Sequence, residues 1–233
     1  MLGTLRRDVR AVRERDPAAR STLEAILCYP GLHAVWGYRI GHWLWGHKLL
    51  LLARLVSTIT HRCTGVDIHP AATIGSGLFI DHATGVVIGE TAEVGDDVTI
   101  YHGVTLGGTS LERGKRHPTI GDRVTIGAGA KVLGPFTVGH DSRIGANAVV
   151  VKPAPPDSVV VGVPGQVIVR SYPRPQPSQP DLDQVLLPDL IGVSIRSLLT
   201  RVEELEVALN CRLTPAHVHP SETGMWPGED FSI

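Results

Sequence analysis

The 233-residue sequence has few cysteines, few aromatic residues and no excess of either charge. Its three cysteines, Cys28, Cys63 and Cys211, are widely and irregularly spaced, without a CxxC pair. This spacing argues against a disulfide framework and predicts reduced thiols in a cytoplasmic protein. The 22 Lys and Arg residues nearly balance the 23 Asp and Glu residues, which argues against a general nucleic-acid-binding protein.

Long apolar runs are also missing. The N-terminal segment lacks the apolar core of a secretory signal, so export is disfavoured. The most apolar stretch, residues 44–59, is interrupted by His47, Lys48 and Arg54 and is shorter than the ~20 residues that span a bilayer. We therefore expect this stretch to form a buried helix.

Residues 1–62 are predicted to form an N-terminal helical region. Apolar residues recur here at steps of three and four, as at Leu23, Ile26 and Leu27. The pair Asp16-Pro17 predicts a helix start. The Asp side chain can accept from the free N–H groups of the first turn, and proline at the first helical position loses only an N–H that would have no partner in the helix.

From Val66 the period changes to six residues. Thirteen aliphatic residues keep this period: Ile68, Ile74, Ile80, Ile88, Val94, Ile100, Leu106, Ile120, Ile126, Val132, Val138, Ile144 and Val150. Eight of them are followed by glycine, which permits a bend. A six-residue period is the signature of a parallel β-helix, in which each hexad contributes one inward aliphatic side chain. We predict a mainly β domain of this type over residues 63–170.

The period is broken twice. Two extra residues lie between Ile80 and Ile88, and eight lie between Leu106 and Ile120, so residues 107–119 are predicted to leave the helix as a loop. Insertions in solenoid proteins collect on the binding face. The loop is therefore either part of a binding site or a tolerated surface insertion.

Residues 171–233 form a C-terminal extension. A Pro-rich linker opens it, and a helix is predicted from about residue 189 to 209 because apolar residues alternate by four and three. This seam would pair either with another copy or with the same subunit. The remaining tail has little periodicity and is expected to be mobile.

His82 is the first candidate for chemistry. It lies just before the two-residue break, where an outward side chain would face a groove. Asp67 precedes it by fifteen residues, close to one coil of about eighteen, and neighbouring strands are ~4.8 Å apart. A carboxylate–imidazole hydrogen bond would orient His82 as a general base. Two unrelated surface residues are the alternative.

A zinc site would need several histidines at ligand spacing. His82, His102 and His117 are the candidates within the β-helix, but no HxxxH or HxxxxH pair occurs there. The closest pair, His217 and His219, lies in the tail. We therefore expect no metal. A GxGxxG dinucleotide loop is also missing.

The sequence contains three distinctive motifs, DHATG, TLGGT and RHP. They lie in the segments VDIHPAATIGSGLFIDHATGVVIGETAEVGDDVTIYHGVTLGGT and KRHPTIGDRVTIGAGAKVLG. Over residues 8–170 the sequence resembles the serine acetyltransferases. The resemblance implies a left-handed parallel β-helix. It also implies transfer of an acetyl group from acetyl-CoA to the hydroxyl of L-serine, which opens cysteine biosynthesis. A homotrimer or hexamer would form, with active sites in clefts between copies.

The resemblance also gives roles to individual residues. His82, in DHATG, would be the general base, and Asp67, in VDIHP, would orient it, which agrees with the pair obtained from the coil length. Asp81, before that histidine, and Asp16, in RDPA, would hold the ammonium of the substrate.

The substrate carboxylate would bind to Arg116 and His117 of the long loop. Acetyl-CoA, as cosubstrate, would contact the main chain at Gly108 and Ala128. No metal takes part.

The resemblance further implies two partners. L-Cysteine would inhibit the enzyme by occupying the serine site, and the tail ending in Ile233 would bind O-acetylserine sulfhydrylase, the cysteine synthase. The nearest alternative is another hexapeptide O-acetyltransferase acting on a sugar or other small hydroxyl acceptor. A non-catalytic scaffold and a zinc-dependent carbonic anhydrase relative are the alternatives from other classes.

Overall fold

The computed structural model describes residues 2–169 and 190–208. The chain divides into two compact units, residues 1–188 and 189–233. The described helices are α1 Leu2–Arg15, α2 Thr22–Cys28, α3 Pro30–Gly46, α4 Leu50–Thr64 and, in the second unit, α5 Leu190–Ala208. None of them combines the length and the apolar character needed to cross a membrane. The predicted linker and the tail lie outside the described residues.

The helix boundaries follow from local hydrogen bonding. α1 ends at Arg15, so Asp16 does not begin a helix as predicted; it instead accepts the N–H of Ala18 in a turn, at 2.8 Å. Ser21 precedes α2 and caps it with its hydroxyl. Gly65 ends α4 with φ +73°, a left-handed conformation that glycine adopts without strain.

The apolar stretch 44–59 is largely helical but is not buried as expected. Leu51 is 73% exposed and Ile59 is 58% exposed. On α4 the buried residues are the small side chains Ala53, Ser57 and Thr64. The helix therefore packs on its neighbours through small side chains and leaves its large aliphatic face open.

Short strands follow α4 in the chain. They are β1 Asp67–Ile68, β2 Thr73–Ile74, β3 Phe79–Ile80, β4 Val87–Ile88, β5 Glu93–Val94, β6 Thr99–Ile100, β7 Thr105–Gly107, β8 Thr119–Ile120, β9 Thr125–Ile126, β10 Lys131–Leu133, β11 Thr137–Val138, β12 Arg143–Ile144, β13 Val149–Val150, β14 Ser158–Val161 and β15 Gln166–Val169. They form sheet A (β1-β4-β7-β10-β13), sheet B (β11-β8-β5-β2) and sheet C (β15-β14-β12-β9-β6-β3). Each strand is followed in sequence by a strand of another sheet up to β13, so the chain coils around a three-sided prism.

The strand register shows that a regular coil contains eighteen residues and that two coils are longer. In sheet A, Thr105 pairs with Val87 and Lys131 pairs with Val149, each eighteen residues apart. Asp67 pairs with Val87, twenty residues away, and Thr105 pairs with Lys131, twenty-six away. The extra two and eight residues are the predicted insertions. All thirteen periodic aliphatic residues are at most 9% exposed, which confirms the predicted core.

Ion-paired arginines, among them Arg15 and Arg39, fasten α1 to the prism. The fully buried Asp8 accepts two hydrogen bonds from Arg39 of α3, at 2.8 and 2.9 Å, and a third from the N–H of Gly77. Arg15 donates to the carbonyl groups of Gly77 and Val98, at 3.1 Å each. These contacts fix the end of α1, and with it Asp16, beside the coil that carries His82.

Candidate active site

His82 lies in a turn between β3 and β4, which we call the His82 corner (residues 81–86). The chain turns through His82 and Ala83 with φ +57° and +53°. Such left-handed conformations cost roughly 1–2 kcal/mol per non-glycine residue. The turn buries Ala83 completely and leaves the His82 side chain 71% exposed. The predicted outward orientation of His82 is confirmed, while its catalytic role remains a prediction.

Two carboxylates accompany His82. The Oδ2 atom of Asp81 lies 3.7 Å from Nε2 of His82. Burial raises the pKa of Asp81; the charge of His82 opposes this shift, and the like charge of Asp16 adds to it. The structure thus brings together Asp16, Asp81 and His82, three of the predicted site residues, from the turn after α1 and from the His82 corner.

Tyr29 orients one of these carboxylates. Its hydroxyl donates to Oδ2 of Asp16 at 2.5 Å, while the N–H of Ala18 donates to Oδ1 at 2.8 Å. Burial, and then the bond to Asp16, raises the pKa of Tyr29, so the hydroxyl keeps its proton and acts as a donor. Tyr29 could not be singled out from the sequence, because no periodic spacing relates it to Asp16.

The three histidines considered for a metal site do not all lie together. The rings of His82 and His102 lie edge to face with centroids 5.8 Å apart, whereas His117 belongs to the long loop. Across residues 2–169 and 190–208, no group of three or more His, Cys, Asp or Glu side chains is arranged to hold a metal ion.

Asp67 does not pair with His82 here. Its side chain makes no hydrogen bond to any described residue, and its backbone pairs with sheet A opposite Val87. The coil between these residues has twenty members rather than eighteen, and the two extra residues enlarge the His82 corner. His82 is consequently displaced along the turn relative to Asp67, and the nearest carboxylate to its ring is Asp81.

Arg116 and His117 lie where the long loop returns, in what we call the loop corner (residues 89–92 and 108–118). Arg116 donates to Oε2 of Glu90 at 2.5 Å, and this bond is the main reason that the pKa of Glu90 is lowered. His117 is 8% exposed, and burial lowers its pKa. Arg116 and His117 therefore lie together on the prism, anchored by the preceding coil, and their binding of a carboxylate remains a prediction.

Sheet A separates the two groups of site residues. The His82 corner leads into β4, and the loop corner follows it. The intervening segment from Gly85 to Glu90 spans roughly 16 Å at ~3.3 Å per residue. Within one chain, His82 and Arg116 thus lie on different edges of the prism, on either side of sheet A.

Gly108 and Ala128 are also on different edges. Gly108 follows β7 in the loop corner, and Ala128 lies in the turn between β9 and β10, two coils along from the His82 corner. Neither backbone N–H has a hydrogen-bond partner among the described residues. Each is therefore available to an acceptor such as a ligand carbonyl.

Comparison with known proteins extends over the whole chain. Family models match residues 1–36 ("Serine acetyltransferase, N-terminal") and residues 117–152 ("Bacterial transferase hexapeptide (six repeats)"). The chain is similar to a serine acetyltransferase of Mycobacterium tuberculosis, with 64% identity over 233 residues and all of both chains covered. It is 52% identical over 217 residues to one of Synechococcus elongatus, covering 93% of this chain and 87% of that one.

The chain belongs to the serine acetyltransferase family. Solved structures agree with this. A serine acetyltransferase of Brucella abortus in complex with coenzyme A matches with a TM-score of 0.71 and 46% identity, covering 73% of this chain and 68% of that one. One of Neisseria gonorrhoeae in complex with serine matches with a TM-score of 0.70 and 45% identity, covering 72% of this chain and 69% of that one. A serine acetyltransferase in complex with cysteine matches with a TM-score of 0.71 and 45% identity, covering 72% of this chain and 66% of that one. The fold is the left-handed parallel β-helix that the resemblance implied.

In this family member, three residues that hold predicted site residues were not predicted from the sequence. Tyr29 holds Asp16, Glu90 holds Arg116, and Thr91 holds His117. Glu90 and Thr91 could have been found from the coil length, because they occupy the same corner as the loop one coil earlier. Nothing comparable relates Tyr29 to Asp16.

The raised pKa of Asp81 predicts a stability effect. The ionised carboxylate is less favourable in the folded than in the unfolded chain, so the protonated form of Asp81 is the one that favours folding. The contribution of the Asp81 side chain to stability is therefore full below the ordinary carboxyl pKa and is lost as pH rises through the folded-state pKa. Asp81→Asn removes this loss and should raise the melting temperature at pH 7.5, with a smaller gain near pH ~4. Thermal denaturation at both pH values measures it. Glu112→Gln on the exposed loop is the control, and a lower melting temperature for Asp81→Asn at pH 7.5 would contradict the expectation.

Proposed function

We propose that this protein transfers the acetyl group of acetyl-CoA to the hydroxyl of L-serine, giving O-acetyl-L-serine and CoA in the first step of cysteine biosynthesis. The observation that carries the proposal is the outward His82 beside two carboxylates, with an arginine and a histidine on the next corner. A zwitterionic hydroxyl acceptor needs an anion for its ammonium, a cation for its carboxylate and a base for its hydroxyl. Full-length similarity to serine acetyltransferases supports the same reaction.

Binding of the ammonium uses Asp16 and Asp81. Burial raises the pKa of Asp81, and the like charge of Asp16 adds to this shift. An ammonium placed beside Asp81 would offset both effects and favour its ionised form. Tyr29 keeps the Asp16 carboxylate in a fixed orientation while its remaining lone pairs accept from the ammonium.

His82 acts as the general base. A serine hydroxyl is a weak nucleophile at neutral pH, so His82 removes its proton as the oxygen attacks the thioester carbonyl carbon. When the tetrahedral intermediate collapses, the C–S bond breaks, and protonated His82 returns the proton to the CoA sulfur. Base catalysis of this kind contributes typically ~10²–10⁴-fold. No covalent enzyme intermediate is needed.

Asp67 is proposed to orient His82 during the reaction. The His82 side chain is 71% exposed, so its ring is free to rotate when substrates bind. Catalytic hydrogen bonds are often long or unformed without substrate and tighten in the complex. Rotation that turned one ring nitrogen toward Asp67 would fix the tautomer and stabilise the imidazolium that forms.

Acetyl-CoA is proposed to lie along the prism as cosubstrate. The unpaired N–H groups of Gly108 and Ala128 offer donors to its amide carbonyl groups. The relative from Brucella abortus binds coenzyme A, which supports this cosubstrate. Backbone donors close to the thioester would also stabilise the oxyanion of the intermediate.

A complete site is proposed to need more than one copy of the chain. The acidic group and His82 lie at one corner of the prism, and Arg116 and His117 lie at another. In a homotrimer with rotational symmetry, the His82 corner of one copy faces the loop corner of its neighbour, and three equivalent sites form. A hexamer would pair two such trimers.

Cysteine is proposed to inhibit the enzyme at the serine site. It has the ammonium and the carboxylate of serine, so Asp16, Asp81 and Arg116 would bind both. The similar serine acetyltransferase solved in complex with cysteine supports this. We also propose that the enzyme acts in the cytoplasm, where its three cysteines would remain reduced.

The C-terminal Ile233 is proposed to bind the cysteine synthase, O-acetylserine sulfhydrylase. Ile233 lies outside the described residues, and the support is the acidic sequence EDFSI that contains it. The test uses a peptide in which Ile233 carries a free carboxylate, as an amino acid does. A synthetic peptide with the last ten residues should compete with O-acetylserine for the synthase in a fluorescence titration. The same peptide without Ile233 is the control. Equal competition by both peptides would count against the proposal.

The reaction itself is tested by CoA release from acetyl-CoA with L-serine. His82→Asn should lower kcat by about 10²–10⁴-fold, because the base is lost while the shape is kept. His140→Asn is a matched control, since His140 is an exposed histidine on another corner of the prism, hydrogen-bonded to Asp141. It should retain the wild-type rate within about twofold.

Threonine, glycerol and simple sugars are tested as acceptors in the same assay. Serine-dependent release that is lost in His82→Asn supports both the substrate and the base. Release with a sugar or glycerol but not with serine would instead indicate another hexapeptide O-acetyltransferase. Absence of release with every acceptor would leave the scaffold alternative.

A further inference from the structure

The segment Gly89-Glu90-Thr91 lies one coil before Arg116 and His117, at the same corner of the prism. The Oγ1 atom of Thr91 accepts the backbone N–H of Arg116 at 3.0 Å and that of His117 at 3.2 Å. Lys115 donates to the carbonyl of Thr91 at 2.9 Å. One threonine thus fixes the backbone at which the long loop returns to the prism.

Thr91 also contacts the ring of His117. The backbone N–H of Thr91 donates to Nδ1 of His117 at 3.2 Å, and Oγ1 of Thr91 lies 2.8 Å from the same nitrogen. An amide N–H can only donate, so Nδ1 must carry a lone pair rather than a proton. The proton of a neutral imidazole then resides on Nε2.

Several features keep this imidazole neutral. Burial lowers the pKa of His117, the cations Arg116 and Lys115 lower it further, and Glu90 opposes them. Glu90 is itself paired with Arg116, which reduces its effect on the ring. The imidazole is thus held in the state that its hydrogen bonds to Thr91 require.

Gly89 provides the space for this ring. A Cβ atom at Gly89 would lie 2.1 Å from Cδ2 and Nε2 of His117, so any side chain there would displace the imidazole. The Nε2 atom has no hydrogen-bond partner among the described residues, and it is not one of the atoms sealed from solvent. Nε2 is therefore a donor without a partner among the described residues, on the residue next to Arg116.

We propose that Thr91 is a positioning residue that holds His117 as a neutral imidazole with its proton on Nε2, directed at the carboxylate of the substrate. This inference rests on the proposed function for the identity of the ligand. Arg116 supplies the positive charge, and His117 supplies a neutral donor. A single carboxylate is thereby matched by one cation rather than two, and Gly89 and Thr91 together set where the neutral donor lies.

The first test measures the protonation state of His117 directly. Side-chain ¹⁵N spectra of the full-length protein labelled on histidine are recorded between pH 6 and 8, and His117→Gln identifies the signals. Wild-type His117 should show an unprotonated Nδ1 and a protonated Nε2 throughout. In Thr91→Val the imidazolium should appear at higher pH than in the wild type, because the hydroxyl that holds Nδ1 is lost.

The second test separates substrate binding from turnover. Thr91→Val keeps the shape and the backbone N–H but removes the hydroxyl, and should raise KM for L-serine about tenfold with kcat changed less than about threefold. Thr91→Ser, which restores the hydroxyl, should return KM to within about twofold of the wild type. Gly89→Ala should raise KM in the same way while remaining folded. Thr119→Val is the matched control, since the hydroxyl of Thr119 hydrogen-bonds, among the described residues, only to Glu93, at 3.3 Å.

The outcomes are distinct. Wild-type His117 that is protonated on Nδ1 at pH 7 overturns the inference, as does a Thr91→Val variant with wild-type KM and wild-type His117 signals. A rise in KM shared by Thr119→Val would also overturn it. If the wild type transfers no acetyl group to serine, the proposed function fails, and the His117 spectra then decide the positioning claim alone.

Discussion

The stack of aliphatic side chains at six-residue intervals constrains the rest of this protein. Each side chain fills one layer of the prism and is at most 9% exposed. A residue added within a face would turn the following side chains out of the core, so extra residues are tolerated only at corners. The insertions of two and eight residues lie at corners, and each contributes residues to the candidate site, His82 at the first and Arg116 and His117 at the second.

The same constraint divides the site. Sheet A has a fixed width, so the His82 corner and the loop corner cannot approach each other within one chain. Asp16 and Asp81 lie with His82 at one corner, and Arg116 and His117 lie at the other. Each corner has its own supporting contacts, from Tyr29 and α1 in the first case and from the preceding coil in the second. A substrate carrying both charges would join two copies at one site.

Much of this architecture could be predicted from the sequence. The thirteen periodic positions predicted the core, and the two breaks predicted the corners. The outward direction of His82 followed from its place at a break. These features depend on residues close together in the chain or repeated at a fixed interval, so a single sequence displays them.

Other features could not be predicted in this way. The coil length placed Asp67 beside His82, but the two extra residues enlarge the turn, and Asp81 is the nearer carboxylate. The stretch 44–59 has the composition of a buried helix, yet only its small side chains face the core, because the prism leaves one side of α4 uncovered. The bond from Tyr29 to Asp16 depends on how α1 and α3 pack, for which the sequence has no periodic signal.

The central claim is that the active site is assembled from two copies of the chain. Chains carrying His82→Ala and chains carrying Arg116→Ala are co-expressed with different tags, and the mixed oligomers are isolated through both tags. In a mixed trimer about one site in three has an intact His82 corner facing an intact loop corner, so serine-dependent CoA release should recover to about that fraction of the wild type. Mixed oligomers as inactive as either parent would contradict the account.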